Sequence, residues 1–131
     1  MKILYTTSTI NGIGADRWIY EGYRRAFEAE GHNFIAVQDG ENIKEAIQFY
    51  NPQLVLLDYA WFLKNFDTDN SSAIRELEYE IADRKTKIFC QIGSCLDKEN
   101  FGPEQKERLQ SLLPLFHILW TWNAPEVYRE L

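Results

Sequence analysis

Short apolar runs alternate with amphipathic stretches along the whole chain. Ile3-Leu4-Tyr5-Thr6-Thr7 is β-prone and ends in Ser8-Thr9-Ile10-Asn11-Gly12-Ile13-Gly14. This predicts a strand followed by a glycine-containing loop. From Ala15 the period changes. Trp18, Ile19, Gly22, Tyr23, Ala26 and Phe27 recur at helical spacing, with Asp16, Arg17, Glu21, Arg24, Arg25 and Glu28 between them. That pattern is an amphipathic helix with one buried stripe, and Gly31 is placed to cap its end. Phe34-Ile35-Ala36-Val37 predicts a second strand, with a turn at Gln38-Asp39-Gly40. Asn42 and Glu45 resemble a capping pair for a short helix bearing Ile43, Ala46, Ile47 and Tyr50. Asn51-Pro52 stops that helix, because proline lacks the N–H and restricts the residue before it.

Leu54-Val55-Leu56-Leu57 is uninterrupted and apolar, which marks a central parallel strand buried on both faces. Asp58 follows it, and Tyr59 to Phe66 is an aromatic loop or short helix. After the polar stretch Asp67–Ser72, the residues Ile74, Leu77, Ile81 and Ala82 predict the next helix. Lys87 to Ile92 predicts a fourth strand, which Gly93-Ser94 turns away from. Pro103 suits the first turn of a helix carrying Leu109, Leu112 and Leu113. Phe116 to Trp120 predicts a fifth strand, and Asn123-Ala124-Pro125-Glu126 opens a last helix.

The β-α unit thus repeats five times, and crossovers of this length demand parallel strands and right-handed connections. The expected fold class is α/β: a single three-layer Rossmann-like or flavodoxin-like domain over residues 1–131, with a five-stranded parallel sheet in the order 3-2-1-4-5. At 131 residues the chain is one domain. Lys+Arg 14 against Asp+Glu 20 gives a net charge of -6 and no basic stripe, so no nucleic-acid partner is expected. No apolar run approaches the ~18 residues of a membrane span. The start is too soon polar for a signal peptide, and two cysteines are too few for a disulfide scaffold. A reduced, cytoplasmic setting follows.

In such sheets ligands sit outside the carboxyl ends of the strands where the order reverses, here expected between the first and fourth strands. The loop with Thr7, Ser8, Gly12 and Gly14 is the candidate substrate- or phosphate-binding loop. Gly12 and Gly14 remove side chains where strand turns to helix, so backbone amides and the helix dipole face an anion. The alternative is that the two glycines only permit a tight turn. The third glycine of a dinucleotide fingerprint is missing, and no acid closes the second strand, since Gln38 comes first and Asp39 lies beyond. Asp58, Trp61 and Ser94 are expected as the pocket wall. No catalytic residue stands out. Cys90 and Cys95 are not a C-x-x-C pair, and Cys90 reads as a core residue. His32 and His117 lack ligand-type neighbours, so no metal and no cofactor are expected. Of the four tryptophans, Trp61 and Trp122 lie near strand ends and are the better candidates for ligand contact.

Two resemblances bear on function. Asp58 at the end of the third strand resembles the phosphorylated aspartate of response-regulator receivers. A receiver also needs acidic residues after its first strand to hold magnesium, and Thr6 and Thr7 stand there instead. The preferred role for Asp58 is therefore a carboxylate that caps a loop or meets a backbone N–H. The other resemblance spans the chain: Gly12-Ile13-Gly14-Ala15-Asp16-Arg17, Tyr23 to Phe27, Gly31-His32 before the second strand, and Ile118 to Arg129. These stretches resemble the N-terminal half of GT-B glycosyltransferases, of the retaining family 4 or spore-maturation type. It implies an acceptor-side domain of an enzyme that transfers a sugar from a nucleotide-sugar donor to an acceptor. It also implies that the chain is inactive without a C-terminal domain, so that its status as an enzyme is open. The alternative is a stand-alone flavodoxin-like module that binds a small anion or nucleotide and has no catalytic activity.

Overall fold

A computed structural model of the chain describes residues 1–8, 15–92 and 102–121. The elements in order are β1 (Lys2–Thr6), α1 (Ala15–Ala29), β2 (Asn33–Val37), α2 (Ile43–Tyr50), β3 (Leu54–Asp58), α3 (Tyr59–Asn65), α4 (Ser71–Arg84), β4 (Lys87–Ile92), α5 (Pro103–Leu112), a 3-10 turn (Leu113–Leu115) and β5 (Ile118–Thr121). All strand pairs are parallel, as the sequence pattern requires. The α/β class and the five-stranded flavodoxin-like sheet stand as expected.

The strand order does not follow the expected 3-2-1-4-5. It is β2-β1-β3-β4-β5. The reason lies in β3. The expected order puts that strand at an edge, where one side has no neighbour. Its run Leu54-Val55-Leu56-Leu57 is apolar on both faces, which suits a strand with a neighbour on each side. In the sheet β1 and β4 flank it, with Leu4 opposite Val55 and Val55 opposite Ile88. The half-exposed β2 takes the edge instead.

The two faces of the sheet are covered unequally. On one face Leu4, Val55, Leu57, Ile88 and Cys90 meet Ile43 and Ile47 of α2, Phe62 of α3, Leu77 and Ile81 of α4, and Leu109 and Leu112 of α5. On the other face Ile3, Phe34 and Leu54 meet Tyr20, with Tyr5, Tyr23, Phe27, Leu56 and Phe89 packed around them. Among the described residues α1 is the helix on that second face.

Local chemistry fixes the ends of the helices. Asn42 accepts the Glu45 N–H at 3.1 Å, so the expected cap of α2 is made. Asn51 ends α2 in the left-handed region (φ 49°), which asparagine tolerates, and Pro52 follows. Gly31, at φ 83°, ends α1 where the backbone needs a left-handed residue. Tyr59–Asn65, read as a loop or short helix, is a helix because the Asp58 side chain caps it. Polar bonds then tie elements together: Lys44 to Glu76 at 2.8 Å and Gln48 to Glu80 at 2.9 Å join α2 to α4.

The start of β5 carries a side-chain extension of the sheet. His117 donates its N–H to the Ile88 carbonyl at 2.9 Å, and its ring Nδ1 accepts the Ile88 N–H at 3.0 Å. Burial first, then the nearby Lys87 charge, lowers the pKa of this imidazole below its ordinary value. The neutral ring is therefore the folded form, and the unfolded chain binds more protons in mild acid. His117→Ala should cost about 1–2 kcal/mol in urea unfolding, because the Ile88 N–H loses its acceptor. The cost should be full above the unfolded pKa of about 6.5 and should shrink as pH falls through the lowered folded value. A cost that does not depend on pH would contradict this account.

Candidate functional site

The strand order places the reversal point between β1 and β3, not between the first and fourth strands. Ligand sites in this fold class lie there, at the carboxyl ends. The last ladder pair of these two strands is Tyr5 opposite Leu56. Beyond it the buried Thr6 hydroxyl takes over and accepts the Asp58 N–H at 2.8 Å. Thr7, also buried, donates its N–H to Val37 at 3.0 Å on the other flank. The two threonines thus knit β1 to both neighbours at the carboxyl edge. Asp58 itself is exposed, and its Oδ1 accepts the Ala60 N–H at 3.1 Å as the cap of α3.

A cleft of about 730 Å³ opens on the α1 face at this edge. Its floor is Tyr5, Leu56, Phe89 and Trp120, one residue from each of β1, β3, β4 and β5. Its wall is α1, through Ile19, Gly22, Tyr23, Ala26 and Phe27. Thr6, Thr7, Ser8, Asp58 and Gln91 form the polar end. Register explains the grouping. Asp58 pairs with Gln91, and Gln91 with Trp120, so these three sit in one row on the same face. Neighbouring strands are ~4.8 Å apart, so the row spans roughly 10 Å.

The expected site residues divide into three groups. Thr7, Ser8 and Asp58 come together at the cleft. Trp61 does not. It is 2% exposed and packs in the core on the opposite face, against the α2, α4 and α5 side. Its Nε1 is buried without a hydrogen-bond partner. The helix, one of the two conformations expected for Tyr59 to Phe66, turns this side chain into the core rather than toward the cleft. Gly12, Gly14, Ser94, Cys95 and Trp122 lie outside the described residues.

Three cleft residues were missed. Gln91 is a polar residue inside an otherwise apolar strand near its carboxyl end, and that interruption was the available signal. Trp120 and Trp18 looked like core residues, yet both line the cleft. Other candidates are occupied elsewhere. Asp39 binds Lys64 at 2.7 Å and Asn65 at 3.0 Å, and these hydrogen bonds hold its carboxyl below the ordinary range. It is spent on joining the turn after β2 to α3. Cys90 is fully buried, and burial, then the Asp58 charge, pushes its thiol up, which leaves it unreactive.

Among the described residues, the donors at the carboxyl edge do not suit a divalent magnesium ion. Such an ion takes hard oxygen ligands, carboxylates above all. Here β1 ends in two buried threonines, and among the described residues no three His, Cys, Asp or Glu side chains gather. Nor is any described helix long and apolar enough to cross a membrane.

No family model matches the chain, and no curated protein matches it. Solved structures do, and those named here are receiver domains. The signal receiver domain of a putative Luxo repressor protein from Vibrio parahaemolyticus matches with a TM-score of 0.55 and 14% identity, over 92% of this chain and 77% of that one. The BeF3-activated N-terminal receiver domain of Klebsiella pneumoniae RstA matches with a TM-score of 0.53 and 16% identity, over 97% and 91%. The receiver domain of Francisella response regulator 1452 gives 0.51 and 20%, over 92% and 83%. The chain has the flavodoxin-like fold that these receiver domains share; at such identities the likeness is one of fold.

This finding overturns the glycosyltransferase reading. The neighbours are receiver domains, and the order 2-1-3-4-5 replaces the 3-2-1-4-5 of a Rossmann-type half. The nucleotide-sugar donor and the acceptor expected as partners fall with it. The stand-alone anion- or nucleotide-binding module finds no support either. The motifs behind both readings, glycines after a first strand and Gly-His before a second, are common property of α/β folds.

The role of Asp58 as a cap is open to direct measurement. Asp58→Ala should lower stability by about 1 kcal/mol, the ordinary worth of an N-cap. Asp58→Asn, which keeps an accepting oxygen, should cost much less. Equal losses in the two variants, by urea unfolding, would show that charge and not capping is what Asp58 supplies.

Proposed function

We propose that this chain is a receiver-like signalling module that works through protein contact and takes no phosphoryl group at Asp58. The fold likeness over nearly the whole chain supports the first half. One observation carries the second. Asp58 stands at the end of β3, where a receiver's acceptor aspartate is found. The β1 position that would hold magnesium is instead the Thr6 hydroxyl, buried and bonded to the Asp58 backbone. Without a cation, an incoming phosphoryl group meets an acidic chain of net charge -6, and among the described residues no Lys or Arg lines the cleft beside Asp58. The Asp58 carboxylate serves α3 as a cap. In this reading residues 1–131 act as one domain in the cytoplasm, and exposed Ser8 and Asp58 offer a partner its polar contacts.

The test uses acetyl phosphate with magnesium, and separately beryllofluoride with magnesium, on the full chain. Intact mass should be unchanged, and amide spectra should not move around Asp58 and Thr6. A phosphoryl adduct that Asp58→Asn abolishes would reject the phosphorylation-independent reading and leave a working receiver in its place.

A further inference from the structure

We propose that the free edge of β2 docks an extended peptide segment of a partner protein, basic at both ends, which joins the sheet as an added strand. This inference does not rest on the signalling reading, since the edge is the same whatever Asp58 does. β2 ends the sheet, with β1 as its one neighbour. Asn33 donates its N–H to the Met1 carbonyl at 2.9 Å, and the Val37 carbonyl accepts the Thr7 N–H at 3.0 Å. Asn33 and Val37 thus turn their backbone polar groups toward β1. So does Ile35 between them, because a strand alternates every second residue. Phe34 and Ala36 turn theirs the other way. Their N–H and carbonyl groups line the open edge, and no hydrogen bond among the described residues meets them.

Sheet edges are usually blunted by a charge, a proline or a bulge. Apart from its shortness, Asn33-Phe34-Ile35-Ala36-Val37 has none of these, and its register with β1 is unbroken. The residues that bound the edge, 27–50, are all described. An added strand also finds apolar contact there. α2 turns Lys44 and Gln48 toward α4. At about 100° per residue, Phe49 lies on the flank away from α4. That flank is the β2 side of the sheet, because α2 leaves β2 and α4 leads into β4. The Phe49 ring is 81% exposed and meets Tyr50 edge-on, with 4.8 Å between centres. Ile35 and Ala36, on opposite faces of β2, are only half-buried.

Charge selects the occupant. Around the edge stand Glu28, Glu30, Asp39, Glu41 and Glu45, against a single lysine, Lys44. Arg24 offsets Glu28 at 2.9 Å, Lys64 offsets Asp39 at 2.7 Å, and Glu76 holds Lys44 at 2.8 Å. Glu30, Glu41 and Glu45 remain, and all three are exposed. Glu30 stands just before the amino end of β2. Glu41 stands at the carboxyl end, where it accepts the Gln38 N–H. Glu45 lies one helical turn before Phe49 on the same flank. An extended segment with a cation at each end therefore meets an acid at each end of the edge. A second copy of this chain does not fit, because it sets the same acids against these and brings its own net charge of -6.

The probe is the blocked peptide Lys-Val-Thr-Val-Thr-Val-Lys, titrated into the isotope-labelled full chain and followed by amide spectra. The Phe34 and Ala36 signals should move first, and their exchange with solvent should slow. The same peptide with glutamate at both ends should bind at least about threefold more weakly at low salt. Ala36→Pro removes one outward N–H and spares the β1 ladder, as edge strands allow, and should weaken binding about tenfold. Glu30→Lys with Glu45→Lys, both on the surface, should reverse the preference between the two peptides whether or not Ala36→Pro folds. No shift at millimolar peptide would overturn the proposal, as would shifts confined to the cleft or equal binding of the two peptides. So would a folded Ala36→Pro chain that binds undiminished. Sedimentation showing that the chain alone dimerises, and that Ala36→Pro abolishes the dimer, would overturn it in favour of a second copy.

Discussion

The fold depends on burying β3 from both sides. Four consecutive apolar residues, Leu54 to Leu57, must face two packed layers and two neighbouring strands at once. That requirement places β1 and β4 at its flanks and sends β2 to the edge. It also decides where the carboxyl ends of the strands meet. Thr6 and Asp58 become neighbours because β1 and β3 are neighbours. Their hydrogen bond closes the sheet at the point where the strands part. In the order 3-2-1-4-5 the two residues are separated by a whole strand, and the same sequence makes a different edge.

The second consequence is asymmetry. Among the described residues α2, α3, α4 and α5 crowd one face, while α1 alone lies on the other. The crowded face has the continuous core, into which Trp61, Phe62 and Cys90 disappear. The other face is aromatic but shallow: Tyr5, Tyr20, Tyr23, Phe27 and Phe34 lie with ring centres mostly 5 to 6 Å apart, tilted or stacked. Those contacts hold α1 to β1 and β2. They leave Leu56, Phe89 and Trp120 as the floor of an open cleft beside it. Among the described residues, the cleft lies where α1 covers β1 and β2 and leaves the carboxyl halves of β3, β4 and β5 bare.

The carboxyl edge gives Asp58 a structural use. Asp58 has the strand-end location that suits an acceptor carboxylate. Among the described residues its backbone N–H meets the Thr6 hydroxyl and its carboxylate accepts the Ala60 N–H. A carboxylate so placed organises the start of α3 and, through it, the burial of Tyr59 and Phe62. The fold is that of receiver domains, and the site has a structural use for the same side chain.

The sequence by itself determined the described elements, because periodicity of 2 and 3.6 and the punctuation by Gly31, Asn42 and Pro52 act locally; the last helix expected from Asn123 lies outside the described residues. It determined parallel pairing, because each connection is long enough for a crossover helix. It also displayed Thr6 and Thr7 where a magnesium-binding receiver has acids, and Asp58 as a cap. The tertiary structure alone decided strand order, since that depends on which strand can bear two buried faces, and β3 had declared itself central without fixing its neighbours. It decided the fate of each tryptophan as well. An indole after a strand can turn either way: Trp61 rotates with α3 into the core, while Trp120, in register with Gln91 and Asp58, faces the cleft. Spacing along the chain does not carry that information, because it arises only when strands from distant parts of the sequence are set side by side.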